Sequence, residues 1–268
     1  MDAGKPGRFR FNDSFFGNPT IDKSAIVSES AIIIGQISIG PRVTILPDTV
    51  IRIDEVKDVY LNDENYGGVR ISEGVNFQDH TLVHAHGGLF VDGDDGKKYC
   101  VWVGKHCSVA HKATIHGPAY LGKKCFIGFN VIVHHSTIGR NCMLDHGAVV
   151  KKATVGDYCH IGINAVVANV RIDNHRLVPD GWVVNNQETA DRLPHVPRDI
   201  AEADNDLNKS VVDENKQLCA LYKRRQHDLE HHKAVNMAKN LTPEEQFDMA
   251  LRCMKEMAMA LNKTIEVR

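Results

Sequence analysis

Three histidines are the residues of this chain best suited to chemistry. His84 lies in the segment FQDHTLVHAHGG, and His111 and His116 lie in SVAHKATIHGPAYLG. Three imidazoles that leave one coordination position open are what a catalytic zinc ion requires, and imidazole also binds iron and cobalt. Since a lone histidine is more often structural than a ligand, the three are candidate metal ligands only if the fold positions them for one site.

A repeat of six residues must position them. Apolar anchors recur at this spacing over Ile21–Ile51, Ile71–Val83 and Val103–Val133, and glycine follows many of them. A helix has an apolar period of 3.6 residues and an ordinary strand a period of two, so a period of six fits neither alone. It predicts short strands joined by tight turns, with three hexapeptides in each coil. We therefore expect an all-β fold, a left-handed parallel β-helix, followed by C-terminal α-helices.

The repeat also relates the histidines to one another. His84 and His116 each follow an apolar anchor by one residue, so we expect them on the same corner of successive coils. His111 follows its anchor, Val109, by two residues and should point elsewhere. Two histidines on one corner and a third that faces away suggest a site that a neighbouring chain completes.

Four cysteines provide an independent check of the repeat. Cys107, Cys125, Cys142 and Cys159 each lie four residues after an anchor, at separations of 18, 17 and 17 residues. This spacing predicts a ladder of inward-pointing side chains. One interpretation is a metal or redox site. We favour a column of small buried hydrophobic side chains, because free cysteine is among the most buried residue types.

Composition excludes several classes of protein. The chain has 268 residues, of which 43% are hydrophobic and 25% charged, as in an ordinary globular protein. A net charge of −2 gives no reason to expect nucleic-acid binding, and the absence of a long apolar run predicts no membrane span. The N-terminus lacks the apolar segment of a secretory signal, so we expect a cytoplasmic protein with reduced thiols.

Changes in composition divide the chain into three parts. We expect an N-terminal arm at residues 1–20, the β-helix at 21–184 and a C-terminal helical segment at 185–268. Two insertions, at about 56–68 and 86–99, interrupt the coils, and long loops on a regular scaffold often carry function. The composition of the C-terminal segment predicts short helices. These helices could cover the β-helix, pack on a neighbouring subunit or bind a protein partner.

Polar residues accompany the histidine segments. They are Arg52, Asp54 and Glu55 in VIRIDEV, and Asn76, Gln78 and Asp79 in GVNFQDHT. Taken alone they would be surface turn residues, and Arg52 with Asp79 could form an ion pair between subunits.

The segments together resemble the γ-class carbonic anhydrases. The matching stretches are IRIDE, VNFQDHTLVHA, VWVGKHCSVAHKATIHGPAYLGKKCFIGF and VPDGWVVNNQETADRLPHV. The stretch HGGLFVDGDDGKKYCVWVG is also similar to the N-terminal domain of the carboxysome scaffold protein, a branch of the same family. The resemblance covers about residues 20–225.

The resemblance implies a homotrimer with metal sites at its subunit interfaces. His84 and His116 would come from one chain and His111 from its neighbour. Zinc would be the metal, with Fe2+ or Co2+ as alternatives, and it would lower the pKa of a bound water so that hydroxide attacks CO2 and gives bicarbonate.

The same resemblance assigns roles to the polar residues. Gln78 would orient the hydroxide or the substrate, and Glu55 would help to move the proton. Arg52 and Asp79 match the family's interface ion pair, and we include Asn76 among the candidate catalytic residues.

The proton shuttle departs from the family pattern. The well-known γ-class enzyme has a shuttle glutamate after its first histidine ligand, but no glutamate lies between His84 and Val101. His134, 18 residues after His116, is one candidate replacement, and His86 is another. Fast turnover needs a relay whose pKa is near the working pH, so this change bears directly on activity.

Three functions are compatible with these features, and we favour the first. It is a metal-dependent carbonic anhydrase, supported by the three histidines together with Gln78 and Glu55. The second is a catalytically weak or inactive scaffold or assembly protein, associated with a microcompartment. The third is a hexapeptide acyltransferase, a class that uses a histidine base rather than a three-histidine cluster.

Overall fold

A computed structural model describes residues 17–55, 65–86 and 88–239, together with Thr242. Most of the expected N-terminal arm, the first part of the first insertion and the helix predicted to follow Thr242 lie outside the described residues. The described part forms the left-handed parallel β-helix that the repeat predicts, followed by helix, so the expected fold class is confirmed.

Three parallel eight-stranded sheets form the sides of the β-helix, and neighbouring strands in each sheet come from successive coils. Sheet 1 contains β1 (Thr20–Ile21), β4 (Ile37–Ile39), β7 (Val69–Ile71), β12 (Val101–Val103), β15 (Ala119–Leu121), β18 (Thr137–Ile138), β21 (Thr154–Val155) and β24 (Arg171–Ile172). Sheet 2 contains β2 (Ile26–Val27), β5 (Thr44–Ile45), β8 (Asn76–Phe77), β13 (Ser108–Val109), β16 (Phe126–Ile127), β19 (Met143–Leu144), β22 (His160–Ile161) and β25 (Leu177–Val178). Sheet 3 contains β3 (Ile32–Ile34), β6 (Val50–Glu55), β9 (Leu82–His86), β14 (Thr114–His116), β17 (Ile132–His134), β20 (Val149–Lys151), β23 (Val166–Ala168) and β26 (Val183–Val184).

The apolar anchors fill the interior of the coils. In sheet 3, Ile33, Ile51, Val83, Ile115 and Val133 are paired in register from one coil to the next. Each is at most 2% exposed. Full burial of one such side chain contributes about 1.5–3 kcal/mol. The anchors therefore supply the stabilisation that holds successive coils, and the outward-facing residues, in fixed register.

Glycine follows the anchor where backbones of adjacent coils approach closely. A Cβ on Gly122 would lie 2.6 Å from the backbone of Gly139 and Arg140 in the next coil. This separation is well inside van der Waals contact, so only glycine fits. Several corners instead have asparagine in the left-handed region, such as Asn130 at φ 58°, which asparagine tolerates better than most residues.

The four repeat cysteines form the predicted inward ladder and are at most 1% exposed. Their thiols donate hydrogen bonds to carbonyl oxygens of the next coil, at 2.9 Å from Cys107 to Gly122 and from Cys125 to Gly139. The two remaining thiols do so at 3.0 Å. Burial raises the pKa of Cys125 and Cys142 well above the usual thiol value. Protonated, buried thiols are poor ligands and nucleophiles, which supports the structural interpretation.

The second insertion contains an antiparallel hairpin of β10 (Val91–Asp92) and β11 (Lys98–Tyr99). The Tyr99 hydroxyl donates to Asp95 Oδ2 at 2.7 Å, and the Tyr120 hydroxyl donates to Asp94 Oδ1 at 2.7 Å. The Tyr99 ring also packs edge-on against Trp102, with 5.0 Å between ring centroids. The Asp95 carboxylate therefore braces the hairpin itself, whereas the contacts of Asp94 with Tyr120 and of Tyr99 with Trp102 hold it against sheet 1.

Helix α1 (Gln187–Asp191) lies over the last coil. The Gln187 side-chain amide accepts a hydrogen bond from the Arg171 N–H at 3.0 Å and donates one to the Arg171 carbonyl at 2.8 Å. After the helix, the Pro194 carbonyl accepts a hydrogen bond from the Leu177 N–H at 2.9 Å. These groups satisfy backbone atoms at the ends of sheets 1 and 2.

Helix α2 (Arg198–Lys239) is continuous over 42 residues, so the prediction of short helices was wrong here. The segment has neither proline nor glycine, the residues that most often end a helix. Its residues Arg198–Cys219 belong to the same compact unit as the β-helix, and its residues Ala220–Lys239 belong to a second unit. Among the described residues, no helix is both long and apolar enough to cross a bilayer.

The first half of α2 packs on the outer face of sheet 2. Val211 contacts the apolar cluster that contains Phe126 and Met143. His160 Nδ1 lies 2.9 Å from Asp204 Oδ2, and the two side chains are largely buried. Burial lowers the pKa of His160, but the hydrogen bond and charge of Asp204, together with the charges of Asp145 and Asp180, raise it by more, so the resulting pKa is above the ordinary value. The pair therefore ties α2 to the β-helix most strongly when His160 is protonated.

Asp204→Asn should lower the free energy of unfolding by about 1–3 kcal/mol near pH 6, because a charge-assisted hydrogen bond is lost. Since the folded-state pKa of His160 is raised, this stabilisation is complete below the unfolded pKa of about 6.5. It is lost as the pH rises through the folded pKa. Urea unfolding of wild type and variant should show a difference that shrinks from about pH 6 to about pH 9. Asp206→Asn, an exposed position on the same helix, is the control, and a pH-independent difference would contradict the prediction.

Candidate metal centre

A column of histidines runs along sheet 3. His84, His116 and His134 are register partners on β9, β14 and β17, one coil apart. The ring centroids of His84 and His116 are 5.2 Å apart, and those of His116 and His134 are 4.8 Å apart. His116 Nδ1 lies 3.0 Å from the Gly117 carbonyl oxygen. Because a carbonyl only accepts, Nδ1 carries the proton and Nε2 keeps its lone pair for a metal.

His86 joins this group, although its spacing suggested only a proton shuttle. One ligand atom each from His84, His86 and His116 lies within 4.8 Å of the other two. The His86 ring centroid is 5.2 Å from that of His84 and 5.3 Å from that of His116. The sequence held the signal, because His84 and His86 are two residues apart in one strand and alternate residues share a face. One chain therefore brings three imidazoles together.

His111 lies in the turn that precedes β14. Its Nδ1 is 3.3 Å from Asp79 Oδ2, and the two side chains are 44% and 37% exposed. The ring also packs against Phe129, with 5.2 Å between centroids. A carboxylate at Nδ1 fixes the orientation of the ring and leaves Nε2 as the ligand atom. Within the described part of the chain, His111 belongs to neither group of three histidines that could hold a metal.

Two amides lie on the same side of the molecule as His111. Gln78 lines a groove of about 380 Å³ together with His111, and its Oε1 is buried without a hydrogen-bond partner. Asn76 is fully buried, and neither atom of its amide has a partner. Buried polar atoms are normally hydrogen-bonded, so these amides are suited to hold water or a small polar ligand.

The backbone places Arg52 and Glu55 beside the histidine column. Arg52 is the register partner of His84, and Glu55 is that of His86. Apart from the buried Asn76, the catalytic and ligand residues proposed from the sequence therefore fall into two sets on one chain. The column half-site consists of Arg52, Glu55, His84, His86 and His116. The corner half-site consists of Gln78, Asp79 and His111.

Several known proteins are similar in sequence to this chain. The sequence model of the family described as "GlmU-like, C-terminal hexapeptide" matches residues 109–197. The "Carbonic anhydrase" of Methanosarcina thermophila is 32% identical over 214 residues, which cover 76% of this chain and 75% of that protein. The chain belongs to the γ-class carbonic anhydrase family. This membership confirms the resemblance noted in the sequence.

The chain is also similar to proteins that are named for a role in assembly. The "Carboxysome assembly protein CcmM" of Nostoc sp. is 35% identical over 202 residues, or 75% of this chain. The chain spans only 31% of the length of that protein. Among solved structures, a hexapeptide transferase family protein from Anaplasma phagocytophilum has a TM-score of 0.45 at 16% identity, covering 74% of this chain and 92% of that chain.

Proposed function

We propose that this protein is a carbonic anhydrase that hydrates CO2 reversibly to bicarbonate at a metal site between two chains of a homotrimer. The separation of the column and corner half-sites carries the proposal. His84 and His116 share one group of ligand atoms, whereas His111 is oriented by Asp79 in a different place. A site that uses all three histidines therefore needs His111 from a second chain.

The donor set fits a divalent ion of intermediate softness. All three ligands are imidazoles, and His116 and His111 each have Nδ1 engaged by an oxygen, so that Nε2 is the ligand atom. We propose zinc, with Fe2+ or Co2+ as alternatives. When bound, the ion supplies the Lewis acidity that makes water nucleophilic at neutral pH.

The corner half-site orients the ligand and the reactants. Asp79 holds the His111 ring through Nδ1. The Gln78 amide can accept a hydrogen bond from the attacking water at Oε1 and donate one from Nε2 to an oxygen of CO2. Asn76, fully buried on the same side, would hold a water molecule beneath this position.

The column half-site handles the proton and the alignment of the two chains. Glu55 is the register partner of His86, and by the family pattern it would help to move the proton released by the reacting water. Arg52, beside His84, would pair with Asp79 of the neighbouring chain. That ion pair would bring the column and corner half-sites into one site. Both histidines considered as shuttles contact the His116 ring.

Stopped-flow CO2 hydration by protein purified without air tests the proposal. Bound metal and molecular mass, from analytical ultracentrifugation, are measured on the same sample. We expect hydration well above the buffer rate, at least one metal ion per chain and the mass of a trimer. A trimer that holds metal but does not hydrate CO2 would overturn the enzyme. Absence of both metal and hydration would make the histidine cluster structural.

The similarity to CcmM favours a second candidate function. It covers 75% of this chain at 35% identity, slightly above the identity to the carbonic anhydrase of Methanosarcina thermophila. In this reading the protein is a catalytically weak scaffold in the cytoplasm, associated with a microcompartment and bound to a protein partner through its C-terminal helical segment. The stopped-flow result separates this function from the first.

A further inference from the structure

Two histidines that are not ligands of the proposed interfacial metal lie one coil beyond His116. His134 ends β17, and His135 occupies the next corner in the left-handed region, at φ 50°. One ligand atom each from His116, His134 and His135 lies within 4.8 Å of the other two. The ring centroids of His134 and His135 are 4.1 Å apart, and those of His116 and His135 are 5.3 Å apart.

The backbone holds both histidines from the two neighbouring coils. The His135 N–H donates to the His116 carbonyl at 2.9 Å. The His134 carbonyl accepts hydrogen bonds from the Lys152 N–H at 2.8 Å and from Ser136 Oγ at 2.9 Å. Ligands carried on such a rigid scaffold are placed more accurately than ligands on a loop.

Each of the two rings has a buried nitrogen without a hydrogen bond. These atoms are His134 Nδ1 and His135 Nε2. Burying a polar atom without a partner costs free energy, so a ligand bound to each of these nitrogens would remove that cost.

Two lysines oppose a cation at this position. Lys151 and Lys152 follow in the next coil, and both are exposed. Exposed charges are screened by water and salt, so their repulsion is small beside the bonds that two imidazoles form with a metal ion.

We propose a second metal site, at which His134 and His135 bind a divalent transition-metal ion with water in the remaining positions. His116 can be the third ligand only while the interfacial site is empty, because its Nδ1 is hydrogen-bonded to Gly117 and only Nε2 is available. The second site is therefore weaker than a three-histidine site. Imidazole ligands select Zn2+, Co2+ or Ni2+ over Mg2+ and Ca2+.

Titration of the metal-free protein with Co2+ tests the second site. Equilibrium dialysis with metal analysis gives the number of ions bound per chain, and the visible absorption of Co2+ reports nitrogen ligands. The test variant is His134→Gln/His135→Asn, in which asparagine tolerates the left-handed corner. His195→Gln, an exposed histidine outside both groups, is the matched control. We expect wild type and the control to bind one more Co2+ per chain than the double variant.

His111→Ala separates this site from the proposed active site. This variant should lose the interfacial ion and keep the ion at His134 and His135. The ion at His134 and His135 should remain bound even if the carbonic anhydrase proposal is wrong. Equal Co2+ binding by wild type and the double variant would overturn the second site, as would loss of the additional ion in His111→Ala. The single variants His134→Gln and His135→Asn provide the same comparison if the double variant does not fold.

Discussion

His111→Ala should lower kcat/KM for CO2 hydration by at least about 10³-fold and should release the interfacial metal ion. The third imidazole of the proposed ligand set would be lost, and the two ligands of that set that remain, His84 and His116, belong to one chain. Because His111 is 44% exposed, the free energy of unfolding of the metal-free protein should change by less than about 0.5 kcal/mol. Stopped-flow kinetics, metal analysis and urea unfolding measure the three effects. A variant that keeps its interfacial metal and its activity would contradict the proposed ligand set.

His146→Ala is the matched control for this prediction. His146 stacks on the same Phe129 ring, with 4.4 Å between centroids, and lines the same groove as His111. It is not a proposed ligand, so it should retain metal and most of the activity. A loss of metal and activity as large as that of His111→Ala would show that both depend on the groove as a whole rather than on the imidazole of His111.

Mixed trimers test whether the two half-sites come from different chains. His84→Ala and His111→Ala should each be inactive alone, since each removes one half of every site. When the two chains are coexpressed, an interface is intact if one chain supplies His84 and its neighbour supplies His111. Random mixing makes about one interface in four intact, so about a quarter of the wild-type activity should return. Mixtures as inactive as the parents would place all three ligands on one chain.

Gly122→Ala should lower the free energy of unfolding by about 3 kcal/mol or prevent folding. The new Cβ would lie 2.6 Å from backbone atoms of Gly139 and Arg140. Backbone hydrogen bonds hold the coils together at a fixed spacing, so the coils cannot separate at one point without straining the register above and below. Urea unfolding at fixed protein concentration measures the change.

Lys123→Ala is the control for the glycine substitution. Lys123 is the next residue and its side chain is exposed, so the change should be within about 0.5 kcal/mol. A Gly122→Ala protein with the wild-type midpoint would show that the coils accommodate a methyl group, and that the glycine there is not required by packing.

Much of this fold could be predicted from the sequence because one short repeat determines it. Each hexapeptide contributes one anchor to the core, so the spacing of Ile33, Ile51 and Val133 directly reports which residues stack. The cysteine ladder follows from the same register. The length of α2 did not follow, since a charged segment without a strong apolar period gives no signal for where a helix should continue.

The candidate site was predictable only as far as the repeat extends. The register placed His84 and His116 on one corner and turned His111 away from them. It did not predict the carboxylate contact of His111, because Asp79 lies in a turn whose side-chain direction depends on the three-dimensional corner. The six-residue period did not predict that His86 joins the ligand group, because that position follows from the two-residue period within β9.

The end of the β-helix has a consequence for how the protein behaves at high concentration. A stack of coils finishes in open strand edges, which can add strands from another molecule and grow into fibres. The Gln187 amide occupies the Arg171 N–H and carbonyl as a further strand would, and the Pro194 carbonyl occupies the Leu177 N–H. A side chain and a returning loop therefore take the place of the next coil at these two edges, and both edges are closed to a strand from another molecule.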